Sequence, residues 1–314
     1  MSIFISETVA LAVLTLNKQI KHNYRFFYTM RIRTVTSAII LAVMVPVLIF
    51  SEYLIYPIVL GLVAVMAVFE LLRVIGVHKL WKISIPAYVM ALALPILTHD
   101  IFLDQNPEFQ KNYMLFAVAT VFAYMLYIMA IAVFSKGEIK FSKVAEVFLT
   151  VTYVVMSFTA LCLLRYITDG TNDMGTFCFF LVFLAAWGTD VGAYLVGSLI
   201  GKHKLIPDVS PKKSVEGAVG GVVLAVICFV IYGAVVSHFT ELQANYPLLV
   251  IIAVVLSVVS QIGDLIASLI KREYGIKDYG KLLPGHGGIM DRFDSILAVS
   301  LPLVMICLWA SPFN

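Results

Sequence analysis

Nine runs of mostly apolar residues follow one another between residues 34 and 311 and leave little chain between them. They fall at about 34–51, 54–72, 83–99, 112–134, 144–165, 175–200, 217–237, 247–270 and 293–311. A run of roughly 20 such residues is what an α-helix needs to cross the hydrocarbon of a bilayer. Inside lipid every backbone N–H and C=O must be satisfied within the protein, which leaves helices and closed barrels. These runs are continuously apolar rather than alternating, so helices are expected and not barrel strands. The chain is 61% hydrophobic and 13% charged, where a soluble domain carries about 25% charged residues. The expected fold is an all-α polytopic membrane protein with about nine transmembrane helices.

The charges orient that map. Numbering the connections alternately from the N-terminus, side one holds Lys18, Lys21, Arg25, Arg31 and Arg33, then Arg73, Lys79 and Lys82, then Lys136, Lys140 and Lys143. It also holds Lys202, Lys204, Lys212 and Lys213, and finally Lys271, Arg272, Lys277, Lys281 and Arg292. Of the 22 basic residues only Lys111 and Arg165 fall on the other side. Basic residues accumulate on the cytoplasmic face, so the N-terminus is expected inside and the C-terminus outside. The connection 100–111, with Asp100, Asp104 and Glu108, reads as a solvated outer loop. The two richest loops, 201–216 and 271–292, open on the cytoplasmic face, where phosphorylated metabolites are.

Three regions are expected: an N-terminal extension at 1–29, five spans at 30–170, and four spans with the two rich loops at 171–314. No cleavable signal peptide is evident, because the apolar residues 3–16 precede the basic cluster and Glu7 interrupts them. Met30 opens a second basic start followed by an apolar span. The net charge of +3 is too small to point to nucleic acid. Cys162, Cys178, Cys228 and Cys307 all lie in apolar runs without a CxxC pair, so neither a zinc site nor a disulfide framework is expected.

Polar groups that are costly in lipid mark candidate chemistry. Asp264, Ser268, Lys271 and Arg272 are spaced i, i+4, i+7 and i+8, and so share one face of a helix. That face offers an acid for a metal ion, a hydroxyl, and two cations at the mouth; Mg²⁺ is commonly held by one or two carboxylates plus substrate phosphates. A snorkelling Lys-Arg pair at a helix end would account for Lys271 and Arg272 taken alone. The residues C-terminal to the pair argue against that: Lys277, then Pro284-Gly285-His286-Gly287-Gly288, then Asp291, Arg292 and Asp294. Three glycines in four positions let backbone N–H groups approach an anion, and a helix starting just after adds its positive end. Ser210, Lys212, Lys213 and Ser214 lead into another helix and suit phosphate. Trp187, Asp190, Tyr194 and Gly197 recur at helical spacing and place an acid inside the membrane. Gly217 and Gly221 form a GxxxG pair suited to close helix packing. Glu70 and Glu146 stand outside any patterned cluster and leave structure and function equally open.

The run S-x-x-K-R-x4-K-D-x-G-x2-L-P-G-H-G-G-x2-D-R-x-D from Ser268 to Asp294 resembles the characteristic segment of phosphatidate cytidylyltransferases, also called CDP-diacylglycerol synthases. SPKKSVEG at 210–217 is similar to that family's SPKKTxEG, with Ser214 in the Thr place. W-x-x-D-x-x-A-Y from Trp187 to Tyr194 is similar too. The resemblance covers about 187–295. It implies a homodimeric enzyme of a bacterial inner membrane, with its active site facing the cytoplasm. CTP and phosphatidic acid would be its substrates, and CDP-diacylglycerol and pyrophosphate its products. It implies Mg²⁺, with K⁺ as a second ion, held by Asp264 and Asp291, which with Lys271 and Arg272 form the catalytic set. Substrate contacts would come from Ser210, Lys212, Lys213, Ser214, Asp190, Ser268, Lys277, His286, Gly287, Gly288 and Arg292.

Other readings remain open on the residues alone. Intramembrane acids and glycine-broken spans also suit an ion-coupled transporter, although no internal repeat is evident. A cytidylyltransferase acting on another lipid phosphate, or a CTP-dependent lipid kinase, would carry similar headgroup chemistry. A non-catalytic packing subunit fits poorly with so many costly charges.

Overall fold

The structure is a computed structural model that describes residues 34–313 except 37, 40, 41, 104–106 and 168–173, with backbone alone at 100–103 and 107–111. The extension at 1–29 and the first basic cluster lie outside the described residues. Of the first expected span, 34–36, 38–39 and 42–49 are helical. The other eight spans are complete helices: α1 Ile55–Ile75, α2 Trp81–Leu103, α3 Pro107–Phe134, α4 Phe141–Tyr166, α5 Met174–Ile200, α6 Val215–Phe239, α7 Tyr246–Glu273 and α8 Met290–Trp309. Each has a stretch long and apolar enough to cross a bilayer, so the protein is an all-α polytopic membrane protein.

The expected loop at 100–111 is mostly helical instead. α2 continues to Leu103 and α3 begins at Pro107. Charged residues at the end of an apolar run extend a helix beyond the lipid as readily as they end it, and composition does not separate the two. Conversely, the loop after α5 is not irregular: β1 (Lys204–Ile206) and β2 (Ser210–Ser214) form an antiparallel hairpin.

Local chemistry sets the helix ends near the site. Ser214 caps α6, its hydroxyl accepting from the Gly217 N–H at 3.1 Å. Asn245 caps α7 through the Leu248 N–H at 3.2 Å, with a proline in the first turn. Gly76, at φ +87°, closes α1 with bonds back to the Leu72 and Arg73 carbonyls.

α4 is the hub, with 72% of its apolar stretch buried, packed against α1, α2, α3, α5 and α8; α3, at 17%, is peripheral. α5 and α6 pack most extensively. Their small residues let the backbones close up: a Cβ on Gly192 would sit 2.6 Å from the Gly220 oxygen, and one on Gly221 would sit 2.8 Å from the Thr189 oxygen. The Gly217–Gly221 pair therefore serves helix packing.

Contacts sort the connections to two ends of the bundle. At one end Arg73 reaches Tyr279, Lys143 reaches Tyr274, Arg272 reaches Val209, and Thr36 reaches Pro284. The lysine-rich connections thus share an end. At the other end Arg165, one of the two basic residues on the sparse side, is buried and donates to Ser51 Oγ at 2.8 Å and Glu52 Oε1 at 3.3 Å.

Candidate active site

Four elements bring the charged residues together at the lysine-rich end: α5 with Asp190, β2 with Lys213, α7 with Asp264 and Lys271, and the start of α8 with Asp291, Arg292 and Asp294. Asp264 forms an ion pair with Lys213, whose ammonium also reaches the Gln261 carbonyl at 3.5 Å. Asp190 and Asp294 both lie within electrostatic range of Asp264; Lys213 and Arg292 offset the charge at Asp190, and Lys271 that at Asp294. Three carboxylates from three helices therefore lie within one another's electrostatic range. One basic side chain from the hairpin, one from α7 and one from α8 oppose them.

Asp291 occupies a different position. Its side chain is 3% exposed, against 28% for Asp264. Oδ1 accepts from Lys271 Nζ at 3.0 Å. Oδ2 accepts from the N–H groups of Tyr279 at 2.7 Å and Gly288 at 3.0 Å. Asp291 thus joins the two limbs of the 274–289 loop and holds Lys271 toward Asp294. Although Asp291 and Asp294 are three apart, they do different work: the first turns back into the loop, and the second lies within the electrostatic range of Asp264 and Asp190.

Lys271 and Arg272 also diverge. Lys271 enters the acid cluster, whereas Arg272 is exposed and its Nε donates to the Val209 carbonyl at 3.2 Å, fastening the hairpin to α7. A cavity of about 290 Å³ opens beside Asp190, lined by Lys212, Lys213, Ser214, Tyr194 and Gln261. Ser210 is half-buried at the start of β2, and Ser268 is half-buried one turn from Asp264 on α7. Lys277 and Arg292 are exposed. His286 and Gly287 are half-buried in the glycine loop, where both backbone N–H groups return to the Leu283 carbonyl, at 2.9 and 3.1 Å. Gly287 has φ +91°, a region other residues rarely adopt.

The amides expected to await an anion are already engaged. Gly288 N–H donates to Asp291, and those of Ile289 and Met290 donate to the buried carboxylate of Glu70 on α1, at 3.1 and 3.0 Å. Tyr279, at the opposite limb, donates its hydroxyl to the Ala267 carbonyl at 2.9 Å. Burial, and then the charge of Asp291, push the Tyr279 phenol up, so it remains a neutral donor.

Sequence reasoning passed over Asp294, Glu70 and Gln261 as site residues. Asp294 was signalled by its place one turn after Asp291. Glu70 carried only a weak signal, an arginine three residues on at Arg73. Among the described residues no three His, Cys, Asp or Glu side chains converge as a ready-made metal cage. Asp264 and the acids within its electrostatic range offer carboxylate oxygens, which suit a hard divalent cation, and a cation held by one or two of them would complete its shell with water and phosphate oxygen. The donor set therefore fits a substrate-completed metal site and not a closed structural one.

Membrane helices that surround paired acids and lysines at one end define a membrane-embedded site for phosphate chemistry. The model of the Cytidylyltransferase family matches residues 31–310, and the chain belongs to that family. It is 36% identical over 282 residues to the phosphatidate cytidylyltransferase of Staphylococcus haemolyticus, a match spanning 89% of this chain and 99% of that protein. The protein of the same name from Staphylococcus saprophyticus is 38% identical over 279 residues, and that of Staphylococcus aureus strain COL 35% over 281, with the same shares covered. The likeness thus extends through the N-terminal helices, well beyond the motif segment at 187–295.

Proposed function

We propose that this chain transfers CMP from CTP to phosphatidate, yielding CDP-diacylglycerol and pyrophosphate for phospholipid synthesis. The observation that carries the reading is the gathering of Asp190, Asp264 and Asp294 opposite Lys213, Lys271 and Arg292, beside a lysine-lined cavity at the end of a membrane bundle. A phosphate oxygen of phosphatidate attacks the α-phosphorus of CTP, and the bond to the β-phosphate oxygen breaks as pyrophosphate leaves. The attacking phosphate is already an anion at neutral pH and needs little help from a general base. The obstacle is the approach of two anions, so positive charge placed in advance is what lowers the barrier.

Ser210, Lys212, Lys213 and Ser214 are assigned to the nucleotide phosphates, with Lys277, His286, Gly287, Gly288 and Arg292 framing the opposite side and Ser268 beside Asp264. Lys271 completes the basic mouth, and Arg272, expected beside it in the catalytic set, is assigned to fastening the hairpin to α7. Asp264 is assigned to the metal, with Asp190 and Asp294 flanking it; Asp291, expected as the second metal acid, has its oxygens committed to Lys271 and to the Tyr279 and Gly288 amides and is assigned to holding the loop that frames the site. Mg²⁺, with K⁺ as a second ion, would supply charge neutralisation for the phosphates and the leaving pyrophosphate. We place the site on the cytoplasmic side of a bacterial inner membrane, where CTP is available, with the acyl chains remaining in the bilayer, and we assign a homodimer.

The test is pyrophosphate release by purified protein given CTP and phosphatidic acid, with and without Mg²⁺ and K⁺. Release that requires both substrates and a divalent ion supports the assignment. Flux across liposomes without CTP consumption would favour a transporter, and turnover only with another lipid phosphate would reassign the acceptor.

A further inference from the structure

The glycine loop is held from behind by one turn of a helix far away in the chain. Glu70 and Arg73 lie three apart on α1 and so face the same way. Arg73 Nη2 donates to the Tyr279 carbonyl at 2.6 Å, across 206 residues of sequence, and takes the first limb of the loop. The Glu70 carboxylate takes the second limb by accepting the Ile289 and Met290 amides, across 219 and 220 residues. Glu70 is 4% exposed. Between the two limbs stands Asp291, bonded to the amides of Tyr279 and Gly288 and to Lys271.

The glycines on either side match this arrangement. A Cβ on Gly288 would fall on the Glu70 carboxylate, and it alone supplies the three nearest atoms; a Cβ on Gly280 would meet the same carboxylate and then Gly288. Both positions have ordinary backbone angles, so close approach and not a turn is what requires glycine there. The first amides of a helix lack partners within it and attract an anion. At α8 a protein carboxylate fills that role.

We infer that Glu70, assisted by Arg73, is a positioning residue of the active site: it anchors the start of α8 so that Asp291 presents Lys271 to the acid cluster. Its role is indirect, without contact to either substrate. With Glu70 and Asp291 behind the loop, substrate phosphate approaches from the side of Lys212 and Lys213 and does not seat on the α8 N-terminus. The inference rests on the site assignment proposed above, and Asp264→Asn assayed in parallel tests that assignment separately.

Glu70→Gln keeps the shape but turns an amide NH₂ toward at least one backbone N–H. Outer partners of a functional carboxylate commonly contribute about 10- to 100-fold to activity. The expected result is a kcat lowered by that amount with KM for CTP unchanged within about twofold, and faster tryptic cleavage at the exposed Lys277 and Lys281. Gly288→Ala should retain only a small, measurable fraction of turnover for steric reasons. Shortening the opposing side chain with Glu70→Asp should restore part of its activity, so that the double variant exceeds Gly288→Ala alone, a coupling that distant sites do not show. An unchanged kcat in Glu70→Gln would overturn the inference. So would a fall in kcat without any change in loop cleavage, or strictly additive losses in the double variant.

Discussion

Two aspartates three residues apart at the start of α8 illustrate how much single side chains decide here. Asp294 is near Asp264 and Asp190, whereas Asp291 is bonded on both oxygens and almost fully covered. Their substitutions should therefore fail in different ways. Asp264→Asn removes a charge whose one ion pair, with Lys213 of the hairpin, is partly exposed and so adds little to stability; turnover should be lost while the thermal transition in detergent stays near that of the parent protein. Asp291→Asn turns an amide NH₂ toward half-buried Lys271 in place of the carboxylate that holds it, a change of about 2 kcal/mol, so both turnover and the transition temperature should drop. Asp294→Asn should lower turnover by about tenfold or more; full activity there would remove it from the site. The spacing of Asp264, Ser268, Lys271 and Arg272 was readable in the sequence, because a helix turns regular spacing into a shared face. The separate duties of Asp291 and Asp294 were not, since a first-turn carboxylate can bend back to neighbouring amides, and only the loop geometry reveals it. Glu70 was least readable of all, its partners lying some 220 residues away.

At the level of elements, run length was enough to locate every complete helix, because the bilayer imposes a length that side-chain chemistry must match. It was not enough for the pieces outside the lipid. The β1–β2 hairpin is short and charged, and the end of α2 carries Asp100, so neither has an apolar pattern to declare its form. The contact between α5 and α6 follows from glycine spacing and carries Asp190 to the cavity. Gly192→Leu would force a branched side chain against the Gly220 carbonyl and the Leu224 Cβ, 2.6 and 2.8 Å from the position its own Cβ would take. Overpacking of this kind costs about 1–3 kcal/mol. Separation of α5 from α6 should also move Asp190 away from Lys213. The variant should therefore lose both thermal stability and turnover, while the same change at exposed Val191 should affect neither. Equal behaviour of the two would mean that the glycine face is not what holds these helices together.

For the whole molecule the question is which end faces the nucleotide. Among the described residues the connections carrying Lys79, Lys136, Lys204 and Lys281 share one end of the bundle, and the opposite end uses its Arg165 internally with Ser51 and Glu52. A basic residue consumed in an internal pair adds nothing to the outward charge of its side, so the asymmetry seen by the membrane is sharper than the residue count suggests. CTP does not cross lipid, so the lysine-rich end must be cytoplasmic if the proposed reaction is right. Lys204 and Gln243 are both exposed and lie at opposite ends of α6. Of the native thiols, Cys162, Cys178 and Cys307 are buried and Cys228 is half-buried, which keeps background labelling low. In intact cells an impermeant maleimide should therefore label Gln243→Cys and leave Lys204→Cys unlabelled until the membrane is opened. Labelling of Lys204→Cys from outside would put the acid cluster and its lysines on the face without CTP, and the cytoplasmic placement would fall with it.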